Sequence, residues 1–188
     1  MKQVLILSFI LTIFGVQDLF AKKQSFTSNN TEIKWTGKKI GGSHHGYIKV
    51  KDGFIDMSKQ QIKDGQFTMD MNSITCVDLT NKTYNSKLVG HLKSDDFFSV
   101  EKYETATLKI TKADKFVDNK AEVTANVTIK GVTHPITFVA EKHETGIHAK
   151  LLIDRSKYNV RYGSNSFFDN LGDKAIDDVF EIEVELNL

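Results

Sequence analysis

Apolar and polar residues alternate with period two along most of this chain, the pattern of strands with one buried and one solvated face. Ile33, Trp35 and Gly37 alternate with Lys34 and Thr36, and Ile48 and Val50 alternate with Tyr47, Lys49 and Lys51 up to Asp52-Gly53, read as a turn. Phe67, Met69 and Met71 follow a second Asp-Gly pair, Asp64-Gly65. Five further strands are expected: one around Ala106, Leu108 and Ile110; one from Ala121 to Ile129; one carrying Ile136, Phe138 and Ala140; one from Ile147 to Ile153; and a last one from Phe180 to Leu188. Pro135 falls at the beginning of its run, where a missing ladder donor is tolerated.

Two stretches depart from the alternation. Thr80 to Ser94 places Tyr84, Leu88 and Leu92 four apart, which predicts a short helix. Asp154 to Asp178 is a long loop holding Tyr158, Tyr162, Phe167, Phe168 and Leu171, and so many large apolar side chains imply that it folds over something. Eight antiparallel strands can close into a barrel or split into a sandwich, and periodicity alone does not choose. Phe67, Met69, Met71 and Phe180 on inward positions favour a barrel with an adaptable apolar interior, although the same residues could simply fill a core.

The N-terminus changes the picture. Lys2 precedes a 13-residue apolar run, Val4 to Val16, and Ala21 offers a cleavage point before Lys22-Lys23. The run is shorter than the roughly 18 to 20 residues of a membrane-spanning helix, so residues 1–21 read as a secretory signal peptide and 22–188 as one exported domain. A formal charge of +1 offers no field for nucleic acid, and no stable membrane insertion is expected. Cys76, the single cysteine, cannot form an internal disulfide and reads as a small buried residue.

Catalytic patterns are missing. No G-x-S-x-G occurs, and the Walker and dinucleotide-binding glycine patterns are absent. His143 and His148 become cross-strand neighbours if Thr145-Gly146 is the hairpin turn, but two outward imidazoles lack the further ligands zinc needs. His44 and His45 are adjacent and point to opposite faces of a strand, so both cannot hold one internal ion without a bulge. Asp154-Arg155 reads as a salt bridge holding the long loop, or as a head-group contact.

With these segments laid out, the chain resembles the YceI-like polyisoprenoid-binding family. The matching stretches are Ile33-Lys34-Trp35-Thr36-Gly37-Lys38-Lys39, His44-His45-Gly46, Gly90-His91-Leu92-Lys93-Ser94-Asp95-Asp96-Phe97-Phe98, Thr128-Ile129-Lys130-Gly131-Val132-Thr133-His134-Pro135 and Asp154-Arg155-Ser156-Lys157-Tyr158. They run in family order over essentially the whole domain; Tyr103-Glu104 departs where the family often has proline.

The resemblance implies an all-β, eight-stranded antiparallel lipocalin-like barrel with one short helix and a long capping loop. It also implies a periplasmic or secreted location and an elongated polyisoprenoid, isoprenoid quinone or similar lipid as cargo. Ligand-lining candidates are Trp35, Ile48, Val50, Phe67, Met69, Met71, Leu88, Leu92, Phe98, Leu108, Phe138, Leu151 and Phe180, with Tyr158, Tyr162 and Phe167 at the mouth. No catalytic residue, resident metal or cofactor is expected, and a homodimer is compatible with the sequence. The competing readings are a ligand-free stress or interaction module and, behind it, a metal-dependent enzyme.

Overall fold

The structure, a computed structural model, describes residues 22–58 and 60–188, so the signal segment expected at 1–21 lies outside the described residues. Among the described residues ten strands form one antiparallel sheet: β1 (Lys22–Phe26), β2 (Thr31–Lys39), β3 (Gly42–Tyr47), β4 (Lys49–Ser58), β5 (Gln61–Asp70), β6 (Thr105–Ala113), β7 (Lys120–Ile129), β8 (Val132–Lys142), β9 (Gly146–Asp154) and β10 (Val179–Asn187). Their order is β1-β4-β5-β6-β7-β8-β9-β10-β2-β3. A single residue, Ile48, separates β3 from β4, and its N–H donates to Ile33 O on β2 at 3.0 Å. The far end of the sheet therefore leads straight back to its beginning, and the sheet curls into a barrel.

The eight strands expected correspond to β2, the bent β3–β4 pair, and β5 through β10. β1 is additional and pairs outside β4, from Lys22↔Met57 to Phe26↔Gly53.

The turn expected at Asp52-Gly53 is corrected. Asp52-Gly53 and Asp64-Gly65 lie inside β4 and β5, and β4 runs on to Ser58. The reason lies across the sheet. A Cβ on Gly53 would meet the Phe67 ring at 2.5 Å, and one on Gly65 would meet Ile110 Cδ1 at 2.7 Å, so each glycine lets a large neighbour lie over the backbone. A register shift between Val50 and Asp52 bends β4 at the same place. The β6–β7 and β7–β8 hairpin turns use left-handed residues, Asp118 (φ 48°) with Asn119 (φ 63°) and Lys130 (φ 50°) with Gly131 (φ 74°).

The helix forms as expected, α1 (Lys82–Lys93), with the Asn81 side chain accepting from Thr83 N and Tyr84 N at its start. Leu92 is buried, while Tyr84 remains exposed beyond the end of that face. Among the described residues no helix is long and apolar enough to cross a membrane.

One seam in the wall is incomplete. β8 pairs with β9 only through Ala140↔Ala149, Glu141↔His148 and Lys142↔Ile147, so from Val132 to Val139 β8 has a neighbour on the β7 side alone. Pro135 sits in this one-sided stretch, as the fourth residue of β8 rather than its first. The 3-10 turn Arg155–Tyr158 packs against the unpaired part of β8, with the Tyr158 ring edge-on to His134 at 5.3 Å.

Candidate functional site: an apolar channel in the barrel

Two buried clusters fill the ends of the barrel. One gathers Phe26, Ile55, Ile62, Phe67, Ile110 and Phe116; the other gathers Met71, Ile74, Leu92, Phe97, Val100 and Tyr158. Ile48, Met69, Leu108, Phe138, Ile182 and Val184 touch both clusters yet are only partly buried. They face a cavity of about 200 Å³. Its lining includes Phe180 and Leu186 on β10, six residues apart, so it follows about 20 Å of strand at ~3.4 Å per residue. The walls are almost wholly hydrocarbon, with Arg155 and Asp177 reaching them at one end.

That end is built by α1 and the long loop. Phe97 packs edge-on against Phe98 at 4.9 Å, Phe98 against Phe180 at 6.3 Å, and His91 against Phe97 at 5.7 Å. The Trp35 indole N–H donates to Thr75 O at 2.9 Å, and Trp35 lines the cavity. The carbonyls at the end of α1 are closed by Phe98 N to Leu92 O and Val100 N to Lys93 O, and this brings Phe97 and Phe98 back over the lumen.

Arg155 organises the loop. It is 2% exposed, and its Nε donates to Asp177 O at 3.0 Å, Nη1 to Val160 O and Tyr162 O at 2.9 Å each, and Nη2 to Ile176 O at 2.9 Å. Its ion pair is with Asp178 at 3.4 Å, and it stacks over Phe97 at 5.4 Å. Burial lowers the guanidinium's pKa and the charge of Asp178 opposes that. The salt bridge foreseen with Asp154 is thus replaced by one with Asp178, because Asp154 instead caps the turn by accepting from Ser156 N and Ser156 Oγ. The loop-holding role is the one the geometry supports.

The structure brings Trp35, Ile48, Phe67, Met69, Met71, Leu92, Phe98, Leu108, Phe138, Leu151 and Phe180 to the cavity wall. Five other candidates lie elsewhere. Val50 is 3% exposed within the first cluster, and Leu88 packs on the outer side of the second. Tyr158 is sealed against His134 rather than placed at a mouth. Tyr162 leans on His91 at 4.3 Å and Phe167 under Arg161 at 4.9 Å, both well exposed. The loop turns these rings outward and contributes Arg155, Ile176 and Asp177 to the cavity instead. Ile176 and Asp177 carry no periodic signal; the pairing of Lys39 with Ile176 and the bond from Asp177 N to Lys38 O place them.

The histidine hairpin is shifted by one residue. His143 and Gly146 close the turn around Glu144-Thr145, and His148 stands opposite Glu141. Donor atoms of Glu141, His143 and His148 lie within 4.8 Å of one another, so a third candidate ligand is present that sequence reasoning missed. Lys120 already pairs with Glu141 at 2.9 Å on this exposed surface.

The molecule is a curled antiparallel barrel around an apolar channel, an architecture suited to a hydrophobic ligand. Residues 25–188 match the YceI-like domain, and the chain belongs to that family. It is similar to the UPF0312 protein of Vibrio parahaemolyticus, 36% identical over 100 residues that make up 53% of each chain. It is also similar to a UPF0312 protein of Pseudomonas aeruginosa, 34% identical over 106 residues, 52% of this chain and 51% of that one. The chain thus spans about half the length of the curated relatives it matches. Among solved structures, Burkholderia cenocepacia BcnA aligns with a TM-score of 0.61 at 24% identity, over 84% of this chain and 96% of BcnA. The Campylobacter jejuni YCEI protein aligns with a TM-score of 0.56 at 18% identity, over all of this chain and 98% of that one. At these identities the structural likeness speaks for the fold.

Proposed function

We propose that this protein is an exported carrier that sequesters a long, slender apolar lipid, a polyisoprenoid, isoprenoid quinone or similar amphiphile, in the barrel channel. The observation that carries the reading is the narrow hydrocarbon-lined cavity following about 20 Å of β10. Membership of the YceI-like family supports it, and the signal-like segment Met1 to Ala21 supports export. Hiding ~400 Å² of a chain in such walls at ~25 cal/mol per Å² gives about 10 kcal/mol gross, reduced by the cost of ordering the chain. Tight binding needs no ion pair at the wall. The cavity also weighs against a ligand-free module, whose lumen its own side chains would fill.

Solvent extraction of the purified protein followed by mass spectrometry tests this. A polyprenol, quinone or other long-chain lipid is expected in the extract, and delipidated protein is expected to take up added polyprenol or ubiquinone. An empty extract together with no uptake of either would refute lipid carriage.

A further inference from the structure

The chain that leaves β5 crosses the end of the barrel and lies along the free edge of β3. Thr75 N donates to Tyr47 O and Val77 N to His45 O, each at 3.0 Å. Gly46 makes this approach possible, since a Cβ there would sit 1.9 Å from Thr75 O. From the other side Asn85 of α1 pins the same segment, its Nδ2 donating to Cys76 O at 2.9 Å and Leu79 O at 3.0 Å. Three elements thereby hold three donor groups together. A ring nitrogen of His44, the Cys76 sulfur and a carboxylate oxygen of Asp78 lie within 4.8 Å of one another.

We propose that His44, Cys76 and Asp78 form a binding site for one divalent transition cation of borderline softness, zinc first, with a fourth position open to water or an exogenous ligand. The donor set is the argument. Zinc takes Cys sulfur, His nitrogen and Asp oxygen at about 2.0 to 2.3 Å, and a tetrahedron of those bonds separates its donors by roughly 3 to 4 Å. His44 Nδ1 and Asp78 Oδ2 are 2.7 Å apart and Cys76 Sγ and Asp78 Oδ1 are 3.3 Å apart, so small outward movements admit the ion. Calcium and magnesium seek oxygen ligands and do not suit a thiol and an imidazole.

The surroundings support the same assignment. His45 N donates to Asp78 Oδ1 at 2.9 Å and orients the carboxylate, as an outer partner of a metal ligand does. His45 Nδ1 is 3.9 Å from Asp78 Oδ1 and does not join the three-donor group. Among the described residues the ion-pair partners of Asp78 are His44 and His45, with no lysine or arginine. The surface group at Glu141 differs in that Lys120 already occupies its carboxylate. Burial raises the Cys76 pKa, so the thiol is neutral until a cation displaces its proton. Binding through the thiolate releases the Cys76 proton to solvent, and a His44 that coordinates through Nδ1 holds its N–H on Nε2.

The test uses the purified protein with zinc and cobalt(II) as probes. One zinc per chain is expected, the cobalt form is expected to show a thiolate-to-cobalt charge-transfer band, and zinc is expected to protect Cys76 from alkylation in the unmutated protein. Cys76→Ser and Asp78→Asn, each checked for folding by circular dichroism, are expected to weaken zinc by more than the roughly 10- to 100-fold typical of losing an outer partner. The double variant His143→Gln/His148→Gln is expected to bind as before. No charge-transfer band together with unprotected Cys76 would overturn the proposal, and so would zinc binding that survives Cys76→Ser but is lost with His143 and His148.

Discussion

Glu181 on β10 lies between two lysines, with Lys38 of β2 at 2.6 Å from Oε1 and Lys150 of β9 at 2.6 Å from Oε2. The hydrogen bonds from Lys150 and Lys38 lower its pKa from an ordinary 4.5 to about 2. A carboxylate whose pKa is depressed by folding stabilises the folded state fully above its unfolded value, and that contribution fades as pH falls through the folded value. Urea unfolding of the native protein and Glu181→Gln is therefore expected to show a stability difference above pH 4.5 that closes as pH approaches about 2. A difference that persists unchanged down to pH 2 would mean that the two lysines do not act on Glu181 through its charge. The alternation of Phe180, Ile182, Val184 and Leu186 with three glutamates made the outward position of Glu181 legible in the sequence. Its partners were not, because diagonal cross-strand neighbours depend on register.

Among the elements, the loop from Asp154 to Asp178 is organised around one buried side chain. Arg155 ties the carbonyls of Val160, Tyr162, Ile176 and Asp177 around one buried guanidinium. Arg155→Met keeps the stem but leaves those carbonyls without their donor, at an expected cost of about 3 kcal/mol or more. Chemical denaturation measures that loss, and amide exchange is expected to rise first between residues 156 and 178. An unchanged exchange pattern in this segment would show that the loop is held by something else. The aromatic content of the loop suggested that its rings cover the lumen. Instead Tyr158 is the ring that it buries, against the unpaired stretch of β8, while Tyr162, Phe167 and Phe168 stay well exposed. Composition marked the loop as packed against something; the short β8–β9 ladder decided against what.

At the scale of the whole molecule, the channel exists because the barrel packs its two ends more fully than its middle. Leu108 sits in that middle, touching both end clusters while only partly buried. Leu108→Trp is expected to fill the lumen, alter stability by about 1 to 3 kcal/mol and abolish co-purifying lipid. Full lipid content in a folded Leu108→Trp protein would place the cargo outside the channel. Of the residues expected to line a ligand, nearly all those on strands reach the wall, since period-two parity carries directly into three dimensions, whereas on the helical face Leu92 does and Leu88 does not. Val50 is the exception on a strand, buried within the first cluster next to the register shift of β4.

By itself the sequence determined the antiparallel strands, the helix α1 and the inward face of most strands, because these follow from local periodicity and from the steric preferences of individual residues. Tertiary structure decided the curl of the sheet into a barrel, through Ile48 meeting Ile33, and the extra strand β1. It also turned two Asp-Gly pairs into strand interiors, because Phe67 and Ile110 need the space above their glycines. The meeting of His44 with Cys76 and Asp78 belongs to the same category. Adjacent histidines on a strand and a lone cysteine more than 30 residues later carry no mutual signal until the segment after β5 folds back along β3. Contacts of that kind join residues distant in sequence through backbone pairing, and no local pattern records which segments will pair.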